Sequence, residues 1–181
     1  MSRFIGIDPS TKTGIVALDE SGEVLRAKEL TGVGTQDPRR MITLIDDIMD
    51  HIRPDDFIVI EGFGFASQQA IQLGGIGWGI RMALHRRGFT YHEASPSQLK
   101  KFASGKGNTP KDQLAVHIYK SWGFEHTSDN VRDAYVLAKI AQELFGAQKT
   151  DSFSGLKYQY EVITAILNPK PKEKKRKKVS K

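Results

Sequence analysis

The sequence predicts a mixed α/β domain in which a sheet, antiparallel over its first three strands, is covered by helices. Apolar runs at residues 3–8, 13–19 and 23–30 are joined by links too short for a crossover, so neighbouring strands must run antiparallel. Phe57-Ile58-Val59-Ile60 is a continuous apolar run of the kind found in a central strand buried on both faces. From residue 38 onward, segments of helical spacing alternate with short strand patterns, as in a sheet wrapped by helices.

Phe4, Ile5 and Ile7 make the first strand, which stops at Asp8-Pro9-Ser10. Gly14 is expected to allow a tight return into the second strand, and Glu20-Ser21-Gly22 to turn into the third. Pro38 suits the first turn of a helix carrying Met41, Ile42, Leu44, Ile45, Ile48, Met49 and Ile52 at helical spacing. The run at 57–60 ends on Glu61, repeating the arrangement around Asp8. A helix over about 66–87 contains Gly74, Gly75, Gly77 and Gly79, each costing about 1 kcal/mol relative to Ala. Close approach of another backbone would account for them. A short strand at 89–93, a helix from Pro96 to about Ala103, a loop at 104–108 and a helix from Pro110 to Trp122 follow, with Gly123 as its stop. Ser128 or Asp129 caps a long helix reaching about Phe145, and residues 155–167 form a last helix. This strand and helix order suits a ribonuclease H-like fold.

At 181 residues, 39% hydrophobic and 27% charged, the chain has the composition of one globular domain. We expect it over residues 1–168, followed by a disordered basic tail at 169–181. The longest apolar stretch, Ala70 to Leu84, is broken by glycines and Arg81, so no membrane span is expected. The absence of cysteine excludes disulfides and thiolate metal sites. The net charge of +6 is unevenly distributed: residues 169–181 hold eight Lys/Arg against one Glu, which leaves residues 1–168 at −1. Within the body, Arg81 to Lys111 holds seven Lys/Arg and only Glu93, a basic band that suits a polyanion or a solvated face equally.

Asp8 and Glu61 each end an apolar strand, where an acid is as readily a turn residue or cap. Asp129 and Asp133 lie four apart and project from one face of a helix start, where the macrodipole also favours acids. Acids from two strand ends and one helix start would nonetheless form a cage of hard oxygens suited to Mg²⁺ or Mn²⁺. Two such ions activate a water and stabilise the leaving oxygen of a phosphodiester.

Gly6-Ile-Asp8-Pro-Ser with Thr13-Gly14, then Ile60-Glu61, then Asp133-Ala134, resembles the acidic motifs of RuvC-type Holliday-junction resolvases. The stretch Pro96-Ser-Gln-Leu-Lys100-Lys101-Phe-Ala-Ser-Gly105-Lys-Gly107-Asn-Thr-Pro-Lys111 is similar to the family's lysine, Gly-x-Gly and second-lysine pattern. The resemblance covers residues 3 to about 145; the last helix and tail look like those of divergent viral or phage members. It implies a Mg²⁺-dependent endodeoxyribonuclease with two ions per active site, Mn²⁺ substituting. Asp8, Glu61, Asp129 and Asp133 would be catalytic metal ligands, and Lys100, Lys101, Gly105, Gly107 and Lys111 would contact DNA. It also implies branched DNA as partner, a role in recombination and repair, nicks that leave 5′-phosphate and 3′-hydroxyl ends, and a homodimer packed across Leu73 to Gly79. Two departures stand out. The family's second acid or His, three positions before the last Asp, is here Asn130, with Asp129 one residue earlier. The family's base-stacking aromatic position is Gly64, flanked by Phe63 and Phe65, which either stack on a base or turn into the core.

Other functions compete. A ribonuclease H-like nuclease acting on forks, flaps or RNA–DNA shares every acidic motif. A nucleotide-binding ATPase or sugar kinase has a similar phosphate turn but needs two lobes and about twice this length. A silent DNA-binding scaffold would not require Glu61 and Asp133. The five histidines show no ligand spacing. With no signal peptide ahead of the first strand, the cytoplasm of a bacterial or phage-infected cell is expected, or the nucleus of a eukaryotic host, which the basic tail could address.

Overall fold

The computed structural model describes residues 2–63, 69–150, 153 and 155–169. Five strands, β1 (Phe4–Asp8), β2 (Thr13–Leu18), β3 (Val24–Leu30), β4 (Phe57–Glu61) and β5 (Tyr91–Ala94), form one sheet in the order β3-β2-β1-β4-β5. β1 pairs antiparallel with β2 and parallel with β4, and β2 pairs antiparallel with β3. The mixed sheet of the ribonuclease H-like fold is thus in place. β1 is buried along its whole length, as its uninterrupted apolar pattern requires, whereas β3 is an edge strand that shows solvent Arg26, Lys28 and Glu29. Charges on an edge discourage pairing with another chain.

Register follows from one ion pair. Arg3 Nε donates to Asp56 Oδ1 at 2.8 Å and Nη2 to Oδ2 at 2.6 Å, while Nη2 also reaches the His51 carbonyl at 3.0 Å. This bidentate clamp joins the residue before β1 to the residue before β4, and the Phe57 N–H closes onto the Arg3 carbonyl at 2.9 Å. Phe4 then faces Phe57 and Ile7 faces Ile60, so Asp8 and Glu61 leave their strands side by side. Removing one partner of a pair this buried costs about 3–5 kcal/mol.

On one side of the sheet lie α1 (Arg39–Asp50) and α2 (Ala70–Arg86), closing a core of Ile5, Ile7, Leu44, Ile48, Ile60 and Ile80. The other side is covered by α5 (Asp129–Thr150), which is itself covered by α3 (Pro96–Ser104), α4 (Lys111–Trp122) and α6 (Lys157–Leu167). Because α5 is sandwiched, its apolar residues do not form a single stripe: Val131, Ala134, Tyr135, Val136, Leu137, Ala138 and Ile140 are all buried. Ser95 and Gln98 make a reciprocal capping box that starts α3, with Pro96 at its first position, and Gly105 in the left-handed region (φ 83°) ends it.

One glycine expectation is corrected. Gly14 makes no turn; it lies in β2 opposite Asp8, where a Cβ would overlap the Asn130 carbonyl of α5. Gly6 likewise faces the Ala134 carbonyl and the Ala138 N–H. Within the chain the α2 glycines accommodate side chains: Met41 over Gly75, Phe63 over Gly77 and Ile45 over Gly79. Among the described residues nothing approaches Gly74. The expected tail lies outside the described residues apart from Pro169. No helix among the described residues is long and apolar enough to cross a membrane.

Candidate acidic site

Asp8 and Glu61 end adjacent parallel strands, and α5 crosses behind them so that Asp133 arrives one turn into the helix. Gly6 and Gly14 let this helix start lie directly on β1 and β2. The tip of the β1–β2 turn is also tied to α5, since Asn130 Nδ2 donates to the Lys12 carbonyl at 2.7 Å. Within the turn, Thr13 Oγ1 donates to the Ser10 carbonyl at 2.7 Å. Asp8, Glu61 and Asp133 line one cleft of about 780 Å³ together with Lys100, Lys111 and Asn130.

The three acids perturb one another. Burial and then repulsion from Glu61 raise Asp8 well above the usual carboxylate range. Burial likewise raises Glu61, which shares a hydrogen bond with Asp8. Burial and then the Asp8 charge push Asp133 up to about 7. All three acids are thus shifted toward the protonated form, and added positive charge would draw them back. Lys111 and Lys100 are the cations that draw Glu61 the other way. Among the described residues no three or more His, Asp or Glu side chains stand as a ready-made metal site. The donor set is nevertheless all hard oxygen, buried and short of counter-charge, which fits a divalent cation of the Mg²⁺ type.

Asp129 does not line this cleft; its carboxylate bonds Lys111 Nζ, which holds Asp129 below and Lys111 above its ordinary pKa. Asn130 does line it, with its amide spent on the turn. Lys101 points away and pairs with Glu161 of α6 at 2.7 Å. Gly105 is the helix stop described above, and Gly107 lies where a Cβ would come within 3.1 Å of the Ser97 carbonyl. Ser104 and Thr109, 2.7 Å apart, brace the loop between them. Phe63 borders the cleft but packs on Trp78, with ring centroids 5.5 Å apart; Gly64 and Phe65 lie outside the described residues.

Arg81 was not singled out by sequence reasoning, which counted it in an exposed basic band. It is 3% exposed and bonded to Glu93, Gly77 and Glu61. No local pattern marks it apart from its break in the apolar run of α2. A second groove of about 690 Å³ runs along α6, but its single carboxylate, Glu161, is already paired with Lys101.

No family model matches the chain. It is similar to the crossover junction endodeoxyribonuclease RuvC of Salinibacter ruber, 29% identical over 124 residues that cover 64% of this chain and 69% of that one. Its fold is similar to that of Thermus thermophilus RuvC, with a TM-score of 0.56 at 20% identity over 81% of this chain and 95% of the other. The T. thermophilus RuvC in complex with a Holliday junction substrate superposes with a TM-score of 0.58 at 20% identity, over 80% and 93% of the two chains. The chain thus shares sequence likeness with one RuvC and a fold with another, and in this chain Asp8 and Glu61 stand at the ends of the adjacent central strands.

Proposed function

We propose that the chain is an endodeoxyribonuclease that resolves Holliday junctions by paired nicks. The observation that carries the reading is the convergence of Asp8, Glu61 and Asp133, each with its pKa raised, in a cleft that also receives Lys100 and Lys111. The junction as substrate rests on the RuvC relatives, one of them described in complex with a Holliday junction.

Asp8, Glu61 and Asp133 would hold the divalent cations, two Mg²⁺ with Mn²⁺ able to substitute. Bound there, the ions supply an activated water and charge stabilisation for the leaving oxygen of a phosphodiester. The chain's own contribution is to fix the three carboxylates on β1, β4 and α5. Asp129 joins the ligands only by exchanging its bond to Lys111. Freed in that exchange, Lys111 would turn to a phosphate of the DNA, as would Lys100.

For a junction with two equivalent strands to cut, a two-fold homodimer suits the task. α2 offers the face for it: Ile71, Trp78 and Met82, spaced 7 and 4 apart, are all exposed. Trp78→Glu should therefore give a monomer that binds a junction weakly and cannot nick both strands in concert.

The test is cleavage of labelled four-way junction, fork, linear duplex and RNA–DNA hybrid, side by side, with Mg²⁺ and with Mn²⁺. Symmetric nicks in the junction, with the linear duplex spared, are expected. Preferential cutting of the hybrid or the fork would replace the junction reading with the corresponding nuclease.

A further inference from the structure

We propose that Arg81 is a positioning residue of the acidic site, fixing the end of β4 from which Glu61 projects; the claim of its effect on cleavage rests on the function proposed above. Its guanidinium is buried and used in three directions. Nε donates to Glu93 Oε1 at 2.6 Å, Nη1 to the Gly77 carbonyl at 3.0 Å and Nη2 to the Glu61 carbonyl at 2.9 Å. The flat face lies 4.3 Å from the centre of the Phe63 ring. One side chain therefore joins β5, α2, the last residue of β4 and the aromatic two residues beyond it.

The need for such a fixture is visible in the backbone. β4 ends at Glu61, and after it the Gly62 N–H still reaches the Ala94 carbonyl at 2.8 Å. The Glu61 carbonyl points to the other neighbour, α2, where Arg81 is its donor. Hydrogen bonds thus hold the peptide after Glu61 from both sides, and the carboxylate leaves the chain from a backbone that cannot swing. Phe63 is fitted into the same assembly: its ring edge lies 2.6 Å from where a Cβ at Gly77 would stand, so Gly77 makes room for the ring on Arg81. Arg81 acts through the main chain. Its charge is met by Glu93, and the cations that pull on the Glu61 carboxyl are Lys111 and Lys100. Lysine cannot replace it, because an ammonium lacks the planar fork that serves three acceptors and a ring at once.

The experiment uses the full chain and three variants: Arg81→Met, Arg81→Lys and, as a control, Leu84→Ala on the same helix, a buried residue of the apolar core. Single-turnover cleavage of a four-way junction, junction affinity in Ca²⁺, thermal midpoint and amide hydrogen exchange at Gly62 are measured for each. Both Arg81 variants should lose about 10–100-fold in the cleavage step, the range for residues that orient a reacting group. Their junction affinity should stay within about threefold of wild type. Gly62 exchange should rise in both, and Leu84→Ala should lose stability without either effect. Should Arg81→Met fail to fold, Arg81→Lys, which keeps the charge beside Glu93, decides the matter. Cleavage within about threefold of wild type, or unchanged Gly62 exchange, in Arg81→Lys overturns the proposal. If the wild-type chain cuts no junction, the function proposed above fails, while Gly62 exchange still reports whether Arg81 holds the end of β4.

Discussion

Asp8, Glu61 and Asp133 leave the chain where backbone packs on backbone, whereas Lys100 and Lys111 reach the same cleft from helices α3 and α4 of the outer layer. Behind the acids, two glycines bring α5 onto the sheet, and the Arg3–Asp56 clamp and Arg81 fix the strand ends. The lysines hang on long side chains; Lys111 is exposed and its partner, Asp129, can be exchanged. The difference assigns them different work. On the proposed function, preset acids would set where cations sit, and movable lysines would follow a phosphate backbone whose path varies with the DNA.

The comparison breaks most directly by neutralising the acids. Asp8→Asn, Glu61→Gln and Asp133→Asn should each cut the cleavage rate by about 10³-fold or more, since each removes a charged ligand from the proposed cation site. Junction affinity in Ca²⁺ and the folded spectrum should survive. Near-normal cleavage by any one of them removes that residue from the site.

The same acids predict a stability effect of definite sign. A carboxyl whose pKa is raised on folding favours the folded state at low pH and loses that advantage as pH climbs through its folded value. For Asp133 the window runs from its ordinary value near 3.8 to about 7, and Asp8 and Glu61 act in the same direction. In chelator-treated buffer the unfolding free energy should therefore fall between about pH 4 and 7, by roughly 2–4 kcal/mol after allowing for partial solvation. Mg²⁺ should restore most of it above pH 7. Asp133→Asn should be the more stable protein at pH 8 without Mg²⁺. A flat profile would mean that the acids are not crowded in solution.

On the basic side the effects should be smaller. Lys111→Ala and Lys100→Ala should each slow cleavage about tenfold at moderate salt and lower the slope of log K against log [salt] by about one unit. Unchanged slopes would return both lysines to a solvated face. Asp129→Asn should cost less than Asp133→Asn, about tenfold, because it frees Lys111 without emptying the acidic cluster. A loss equal to that of Asp133→Asn would instead make Asp129 a ligand in its own right.

What the sequence made legible follows the same division. The strands were readable because β1, β2 and β4 are apolar without interruption, and Asp8 and Glu61 stood out as acids at the points where those runs stop. Asp133 was readable as a helical acid, but its nearness to Asp8 depends on Gly6 and Gly14 removing two Cβ atoms, a contact between segments about 120 residues apart. Nothing local distinguishes Gly14 in a turn from Gly14 beneath a helix. Lys101 looked equivalent to Lys100 until Glu161, sixty positions away, claimed it. Arg81 looked like one more cation in a basic band because burial and its three acceptors exist only once α2, β4 and β5 have met. Side chains set by their own segment were open to reading; those set by a distant partner were not.

Whether three preset carboxylates form one cation site is tested most directly by the titration of the Asp133 carboxyl, followed by carbon NMR on labelled protein. Without divalent ions the resonance should titrate near pH 7, and in saturating Mg²⁺ it should stay ionised well below that, with Asp8 and Glu61 shifting together with it. A midpoint near 4 that Mg²⁺ leaves unmoved would contradict the account.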